Sequence, residues 1–128
     1  MPKTIQVDFI DLEAQAYAER YTSAQDLVMQ ELAERTYATH PHAHMLSGKV
    51  QGRFLEMISC MMRPKRVLEI GTFTGYSSLC LAKGLHQEGK LHTIEIREEE
   101  ARIAQTYFNL SVWQEQIILH VGNALEDR

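Results

Sequence analysis

The sequence has few cysteines, little net charge and no long apolar run. Only two cysteines occur among 128 residues, and Cys60 and Cys80 lie in separate apolar stretches without a C-x-x-C spacing. This pattern favours small buried thiols over a disulfide or a metal-binding pair, so we expect both side chains to be buried. A net charge of −4 argues against nucleic acid as a partner, because a nucleic-acid-binding surface needs excess positive charge.

No stretch approaches the ~20 apolar residues of a membrane-spanning helix, so we expect no membrane partner. The first residues, Met1 to Gln6, lack the apolar segment and cleavage signal of a secretory leader, and we therefore expect a cytoplasmic protein. The chain is 45% hydrophobic, which is enough for one domain with a core of ordinary size.

Three histidines, His40, His42 and His44, stand at alternate positions. They could share one face of an extended segment and bind a metal ion. Pro41 and the lack of a surrounding β pattern instead favour a loop, and no carboxylate or cysteine is near in sequence. We expect a solvated loop without a metal ion, and histidines at the mouth of a substrate pocket are a further possibility.

The central stretch, residues 67–78 (VLEIGTFTGYSS), predicts a short buried strand that ends at Gly71 and a helix that begins near Gly75. The first turn of such a helix presents unpaired N–H groups and the positive end of the helix dipole, so this stretch predicts a ligand-binding loop. Glu69 is unusual, because a carboxylate between two apolar residues of a buried strand costs several kcal/mol if unpaired. It therefore needs a hydrogen-bond donor.

The glycine spacing of this loop argues against a dinucleotide site. The G-x-G-x-x-G motif needs its later glycines for the approach of a pyrophosphate and for helix packing, and here those positions are Phe73 and Tyr76. What remains is a G-x-x-x-G motif with an aromatic wall where a diphosphate would lie. This arrangement favours a nucleoside ligand without a diphosphate, of which S-adenosylmethionine (SAM) is the common one.

Apolar periodicity predicts the other elements. Helices over about residues 9–21, 24–37 and 47–62, with Asp8 or Asp11 and Ser47 as N-caps, form a predicted helical cover over residues 1–64. The residues predicted to pack this cover on the core include Phe9, Leu12, Tyr17, Val28, Leu32, Phe54, Leu55, Ile58, Met61 and Met62. Over residues 65–128, further helices near 75–85 and 98–110 alternate with strands near 91–96 and 117–121, and Ala101, Ala104 and Phe108 are predicted to be buried.

Glu95 ends the second predicted strand, 24 positions after Gly71. An acid where this strand stops beside the first one can accept hydrogen bonds from both hydroxyls of a ribose. The alternative is that Glu95 only begins the charged run that precedes the next helix. We favour ribose binding, because the run does not explain an acid at the end of the strand. After the third strand, small residues up to Ala124 either leave room for an adenine ring or form a plain turn.

With these segments in order, the sequence resembles the class I SAM-dependent O-methyltransferases, specifically the metal-dependent group similar to catechol and caffeoyl-coenzyme A O-methyltransferases. The likeness rests on residues 45–52, 67–78 and 93–96, and more weakly on residues 121–124. It implies an α/β fold, the first half of a Rossmann-like SAM-methyltransferase domain. N-terminal helices would precede a parallel β-α-β-α-β sheet, and the two parts would form one structural unit.

The resemblance also implies a set of cofactor-binding residues: Met45, Ser47, Glu69, Gly71, Thr72, Phe73, Tyr76, Ser77, Glu95 and Ala124. Met45 and Ser47 would contact the methionine end of SAM, and Ser77 would hold its carboxylate.

Glu69, Gly71 and Thr72 would hold the amino group of SAM and approach the sulfonium. Glu95 would bind the ribose, and Ala124 would border the adenine. The complete enzyme would transfer a methyl group to a hydroxyl of a small catechol-like aromatic acceptor, with a divalent cation such as Mg²⁺ bound by a later segment.

The 128 residues match only the first half of such an enzyme, so we expect no catalytic and no metal-binding residue in them and no methylation by this chain alone. One alternative is a non-catalytic SAM-binding or interaction module. A nucleotide oxidoreductase is disfavoured by Phe73 and Tyr76.

In the complete fold the first strand would lie in the middle of the sheet, so stopping at residue 128 leaves its apolar edge unpaired, which favours association. Either the chain is part of a longer protein, which we favour, or the edge pairs with another copy. We expect a homodimer.

Overall fold

A computed structural model describes residues 9–126. Helices and parallel strands follow one another in the order α1 Leu12–Tyr21, α2 Leu27–Thr39, a 3₁₀ turn Ala43–Met45, α3 Gly48–Met62, β1 Arg66–Ile70, α4 Tyr76–Ala82, β2 Lys90–Glu95, α5 Glu98–Leu110 and β3 Ile117–Val121. This order confirms the predicted α/β class, with N-terminal helices before a β-α-β-α-β unit. No helix within the described range is long and apolar enough to cross a membrane.

The three strands form one parallel sheet in the order β1-β2-β3. Glu69 of β1 is paired with Thr93 of β2, and Glu95 of β2 is paired with Val121 of β3. Parallel strands end at the same edge of a sheet, so the loops that follow the three strands meet at one edge, where open α/β sheets bind ligands.

The hydrophobic core lies between the sheet and helices α2, α4 and α5. Its most buried members include Met29, Leu32, Leu79, Leu91, Ala104, Tyr107 and Phe108. Leu32 confirms the inward face predicted for α2, while Val28 is only partly buried. Burial of Ala101, Ala104 and Phe108 confirms the face predicted for α5.

The predicted core face of α1 is wrong, and that of α3 is confirmed only in part, by Leu55, which packs on the core. Helix α1 is capped by Asp11 as predicted, whereas Asp8 lies outside the described residues. The helix buries no residue, and Phe9, Leu12 and Tyr17 are exposed. Phe54, Met61 and Met62 of α3 are also exposed, while Leu55 is partly buried.

Small residues determine how α3 packs on α4. A Cβ atom added to Gly52 would lie 2.7 Å from the ring of Tyr76, and one added to Gly84 would lie 2.1 Å from the backbone of Ser59. Gly52 and Ser59 are the buried residues of α3, and the Ser59 hydroxyl donates to the carbonyl oxygen of Leu81 at 2.6 Å. Close approach through small side chains turns the large apolar side chains of α3 outward.

The two thiols differ in environment. Cys80 is buried as predicted, and burial raises its pKa to about 12. Cys60 is exposed on α3, so the prediction of a buried thiol there is wrong. The cause is that α3 packs on its neighbours through Gly52 and Ser59, so Cys60 points away from that contact.

Strand β1 is less buried than predicted because no described helix covers one face of it. Leu68 and Ile70 are 66% and 69% exposed, whereas Val67 and Glu69 on the opposite face are partly buried. One face of β1 therefore contacts the helices, and the other is an apolar surface.

Candidate functional site

The loop after β1 is tied to the end of β2 by its backbone. The N–H groups of Gly71 and Thr72 both donate to the carbonyl oxygen of Ile94, at 2.9 and 3.2 Å. Gly71 has a φ of +94°, and a Cβ atom added there would meet nothing within 4 Å. The loop therefore turns at a glycine whose open side faces empty space, where a ligand can approach the backbone closely.

Glu95 supports this loop. Its side chain is buried, and Oε1 accepts the backbone N–H of Phe73 at 2.9 Å while Oε2 accepts the N–H of Arg97 at 3.3 Å. Phe73 has a φ of +52°, which is costly for a residue with a side chain. Because each carboxylate oxygen has two lone pairs, Glu95 can still accept hydrogen bonds from a ligand.

A cavity of about 340 Å³ opens at the ends of the three strands. Its walls are Ile70, Gly71, Ile94, Glu95, Ile96, Gly122, Asn123, Ala124 and Leu125. The structure thus brings together Glu95 and Ala124, which are separated by a helix and a strand in sequence. A mostly apolar cavity with one carboxylate can bind a flat ring joined to a group with hydroxyls.

A smaller cavity of about 80 Å³ lies on the other side of Gly71. It is lined by Met45, Leu46, Ser47, Gly71, Thr72, Phe73, Tyr76 and Ser77. Every residue predicted for cofactor binding except Glu69 therefore lines one of the two cavities. Ser47 is the N-cap residue of α3 as predicted, but its hydroxyl makes no capping hydrogen bond, and the residue lines this cavity.

Glu69 lies beside these cavities rather than in their walls. Its Oε2 accepts the hydroxyl of Ser77 at 2.6 Å, and its Oε1 accepts the hydroxyls of Ser78 and, at 2.7 Å, Thr93. The hydroxyls of Thr93 and Thr72 are 2.6 Å apart. The donors that a carboxylate in this strand requires are thus supplied by the protein, and Glu69 orients Ser77 at the cavity.

Tyr76 forms part of the wall of the smaller cavity and is almost fully buried. Burial, reinforced by the neighbouring Cys80, raises the pKa of Tyr76 to about 12. The hydroxyl is therefore neutral at physiological pH and acts as an ordinary hydrogen-bonding group rather than as a base.

The histidine segment forms a loop with a short 3₁₀ turn, as predicted. His42 and His44 are exposed, whereas His40 is partly buried against Phe73. Within residues 9–126 no group of three or more His, Cys, Asp or Glu side chains is arranged to hold a metal ion. The sequence left open that histidines of this loop border a pocket, and His40 contacts Phe73 of the cavity wall. That Phe73 is its partner could not be predicted, because the two residues are more than thirty positions apart.

A family model described as O-methyltransferase matches residues 18–127 of the chain. A catechol O-methyltransferase of Niastella koreensis is 32% identical over 76 residues, which cover 59% of this chain and 34% of that protein. Caffeoyl-CoA O-methyltransferase 2 of Petunia hybrida is 41% identical over 75 residues, which cover 59% of this chain and 31% of that protein.

Among solved structures, an O-methyltransferase from Bacillus cereus in complex with SAH (S-adenosylhomocysteine) superimposes with a TM-score of 0.79 at 28% identity. The match covers 89% of this chain and 51% of that one. The chain thus spans about a third of the length of these curated relatives and about half of this solved structure.

Proposed function

Since the chain belongs to the O-methyltransferase family, we propose that it binds the cofactor in a SAM-dependent enzyme that methylates a hydroxyl of a small, catechol-like aromatic acceptor. The observation that carries the proposal is the pair of cavities that meet at Gly71. A ligand with a nucleoside at one end and an amino acid at the other fits two unequal cavities joined at a backbone without a side chain.

The larger cavity suits the nucleoside. The Glu95 carboxylate retains lone pairs for the ribose hydroxyls while it holds the loop through Phe73. Ala124 and Gly122 have little or no side chain, and Ile94 and Ile96 supply apolar walls, so a flat base can lie against this part of the cavity.

The smaller cavity suits the methionine end. Met45 and Ser47 come from the segment before α3, and Ser77 comes from the first turn of α4. The Ser77 hydroxyl donates to Glu69, so its oxygen is free to accept from an ammonium group. To donate to the cofactor carboxylate, this hydroxyl must turn away from Glu69, which keeps the hydroxyls of Ser78 and Thr93.

SAM would supply a methyl group on a positively charged sulfur. The acceptor oxygen would take that methyl group, SAH would leave, and the hydroxyl proton would pass to solvent. The residues of this chain contribute binding and orientation, which can account for much of the acceleration of such a displacement. The aromatic rings of Phe73 and Tyr76 limit the space for water at the smaller cavity. The described residues provide no ligand set for the divalent cation that the resemblance implies, so we assign no step to it and name no catalytic residue in this chain.

Isothermal titration calorimetry with SAH, NAD and ATP tests the proposed cofactor. We expect SAH to bind and the two diphosphate- or triphosphate-containing nucleotides not to bind at the same concentration, because no glycine follows Gly71 at the positions where a diphosphate would approach. Binding of NAD without binding of SAH would contradict the proposal. With SAM, Mg²⁺ and catechol, we expect no methylated product from these 128 residues. Turnover would contradict the expectation that they bind the cofactor but contain no catalytic or metal-binding residue.

A further inference from the structure

His40 is the C-cap residue of α2, and both nitrogens of its ring make hydrogen bonds. Nδ1 accepts the backbone N–H of His42 at 2.9 Å, and Nε2 lies 2.9 Å from Oε1 of Glu100 in the first turn of α5. A backbone N–H can only donate, so Nδ1 is the acceptor and the ring hydrogen lies on Nε2, which donates to Glu100. The two side chains are only 11% and 10% exposed.

The same ring packs against the glycine loop. The centroids of the His40 and Phe73 rings are 4.7 Å apart at an interplanar angle of 74°, which is a favourable edge-to-face geometry. Phe73 is the one residue of this loop other than glycine with a positive φ, and its N–H donates to Glu95. His40 therefore contacts the loop at the residue whose backbone conformation most needs support.

The contacts continue from Glu100 back to Glu95. The guanidinium of Arg97 lies 3.6 Å from Oε1 of Glu100, and the backbone N–H of Arg97 donates to Oε2 of Glu95. The interactions thus form a closed ring in the order His40, Glu100, Arg97, Glu95 and Phe73. Glu95 and Phe73 line the two cavities, whereas His40 and Glu100 lie outside them.

We propose that His40 is a positioning residue for the cofactor loop: its ring, packed edge-to-face on Phe73, keeps that residue in the conformation in which Glu95 holds the Phe73 amide. This inference rests on the proposed function as far as cofactor affinity is concerned, but its effect on the loop can be measured without a ligand. It makes the N-terminal helical cover a part of the cofactor site rather than only a lid on the core.

The competing explanation is that His40 only joins α2 to α5. The backbone N–H of His40 already closes the end of α2 on Thr36 at 2.9 Å, and the Glu100 contact then adds a link between helices. In that case the hydrogen bonds of His40 matter and its ring does not. The two explanations predict opposite orders of SAH affinity for His40→Gln and His40→Phe.

His40→Gln keeps an amide donor for Glu100 and removes the ring, whereas His40→Phe keeps a ring on Phe73 and removes both ring hydrogen bonds. We expect His40→Gln to raise the Kd of SAH about five- to tenfold, which lies in the upper part of the range that one aromatic pair accounts for. We expect His40→Phe to stay within about twofold to threefold of wild type. His44→Gln, a change to an exposed histidine of the same loop, is the matched control and should leave the Kd unchanged.

Hydrogen exchange of the Phe73 amide, followed by NMR without ligand, is the second measurement. His40→Gln should speed its exchange about tenfold relative to amides in the centre of α5, and His40→Phe should restore most of the protection. The proposal is overturned if His40→Phe weakens SAH binding as much as His40→Gln does, or if the Phe73 amide is equally protected in all variants. If wild type does not bind SAH, the proposed function fails separately and the exchange data alone decide this inference.

A variant that does not fold is recognised by its melting temperature, and the contact can then be removed from the other side. Phe73→Leu should weaken SAH binding and speed exchange at position 73 in the same way. On that background, His40→Gln should change the Kd less than twofold, because the contact it removes is already absent. Full additivity of the two substitutions would overturn the proposal.

Discussion

The carboxylate of Glu95 accepts the backbone N–H of Phe73 at 2.9 Å, so the acid that ends β2 fixes the loop that follows β1. The same side chain lines the larger cavity, where we propose that it binds a ribose. Glu95 therefore has two separable roles, holding the Phe73 amide and binding the proposed ribose. A substitution that keeps one oxygen acceptor distinguishes them.

Glu95→Ala removes both tasks and should weaken SAH binding by about 1–3 kcal/mol, through lost charge-assisted hydrogen bonds and a less restrained Phe73. Glu95→Gln keeps one oxygen for the Phe73 amide, so it should retain the loop and lose part of the ribose contact. Calorimetry measures both affinities, and Glu99→Ala, a change to an exposed acid in the following helix, is the control. Unchanged affinity in Glu95→Ala would remove this residue from the site.

The two glycines of the loop should respond differently to alanine. At Gly75 a Cβ atom would lie 2.8 Å from the ring of Phe108 and the φ is +98°, so Gly75→Ala should lower the free energy of unfolding by about 2–4 kcal/mol. At Gly71 a Cβ atom meets nothing, so Gly71→Ala should cost only about 1 kcal/mol from its positive φ.

For SAH binding we expect the opposite order, with Gly71→Ala more harmful than Gly75→Ala. The added methyl group of Gly71→Ala would lie in the space where both cavities meet, so SAH affinity should fall although the protein stays folded. Urea denaturation and calorimetry together check the pair. Tight SAH binding by Gly71→Ala would show that the ligand does not approach this backbone.

The sequence predicted the parallel unit well because each of its signals is local. Apolar runs mark the strands, and the glycines of residues 71–75 mark the loop. Glu95 is recognised as a candidate site residue from its position at the end of β2. Once the strands are parallel, their ends must meet, so the neighbourhood of Gly71, Glu95 and Ala124 follows from topology. No side-chain packing had to be known for this part.

The packing of the helical cover could not be predicted in the same way. An apolar stripe on α3 indicates one buried face, but the close approach of Gly52 to Tyr76 and of Ser59 to Gly84 selects a different one. The partners of Glu69 and the contact of His40 with Glu100 likewise depend on residues far apart in sequence. Such contacts arise from how elements pack, which local periodicity does not encode.

Replacing Glu69 should destabilise the fold because three hydroxyls depend on its carboxylate. Glu69→Val leaves those donors without their acceptor and should lower the free energy of unfolding by about 2–4 kcal/mol. Glu69→Gln keeps one acceptor oxygen and should cost about half as much. Urea denaturation checks the order, and a stable Glu69→Val protein would show that the hydroxyls find other acceptors.

The stability that Glu100 contributes should depend on pH. Burial acts to raise the pKa of Glu100, but the hydrogen bond from His40, a backbone hydrogen bond and the charge of Arg97 outweigh it and hold the pKa below its ordinary value of 4.5. A carboxyl group whose pKa is lower in the folded than in the unfolded state stabilises the fold. Its full contribution is present above the pKa of the unfolded state and is lost as the pH falls through the pKa of the folded state.

The measurement is the difference in unfolding free energy between wild type and Glu100→Gln from pH 7 to pH 3. We expect the difference to be constant down to about pH 5 and to shrink below pH 4.5. Glu99→Gln, one position earlier and exposed, should give a flat and small difference. A difference for Glu100→Gln that grows as the pH falls would contradict the direction of the shift.

The expected homodimer can be tested at β1, one of the two outer strands of the described sheet, where Leu68 is 66% exposed on an apolar face. If a second copy covers this face, Leu68→Lys should reduce self-association, because lysine on an edge strand opposes pairing. The substitution should change the melting temperature of the monomer little, since the side chain is exposed. Light scattering after size-exclusion chromatography measures the mass, with Leu125→Lys at another exposed leucine as the control, and an unchanged dimer would place the interface elsewhere.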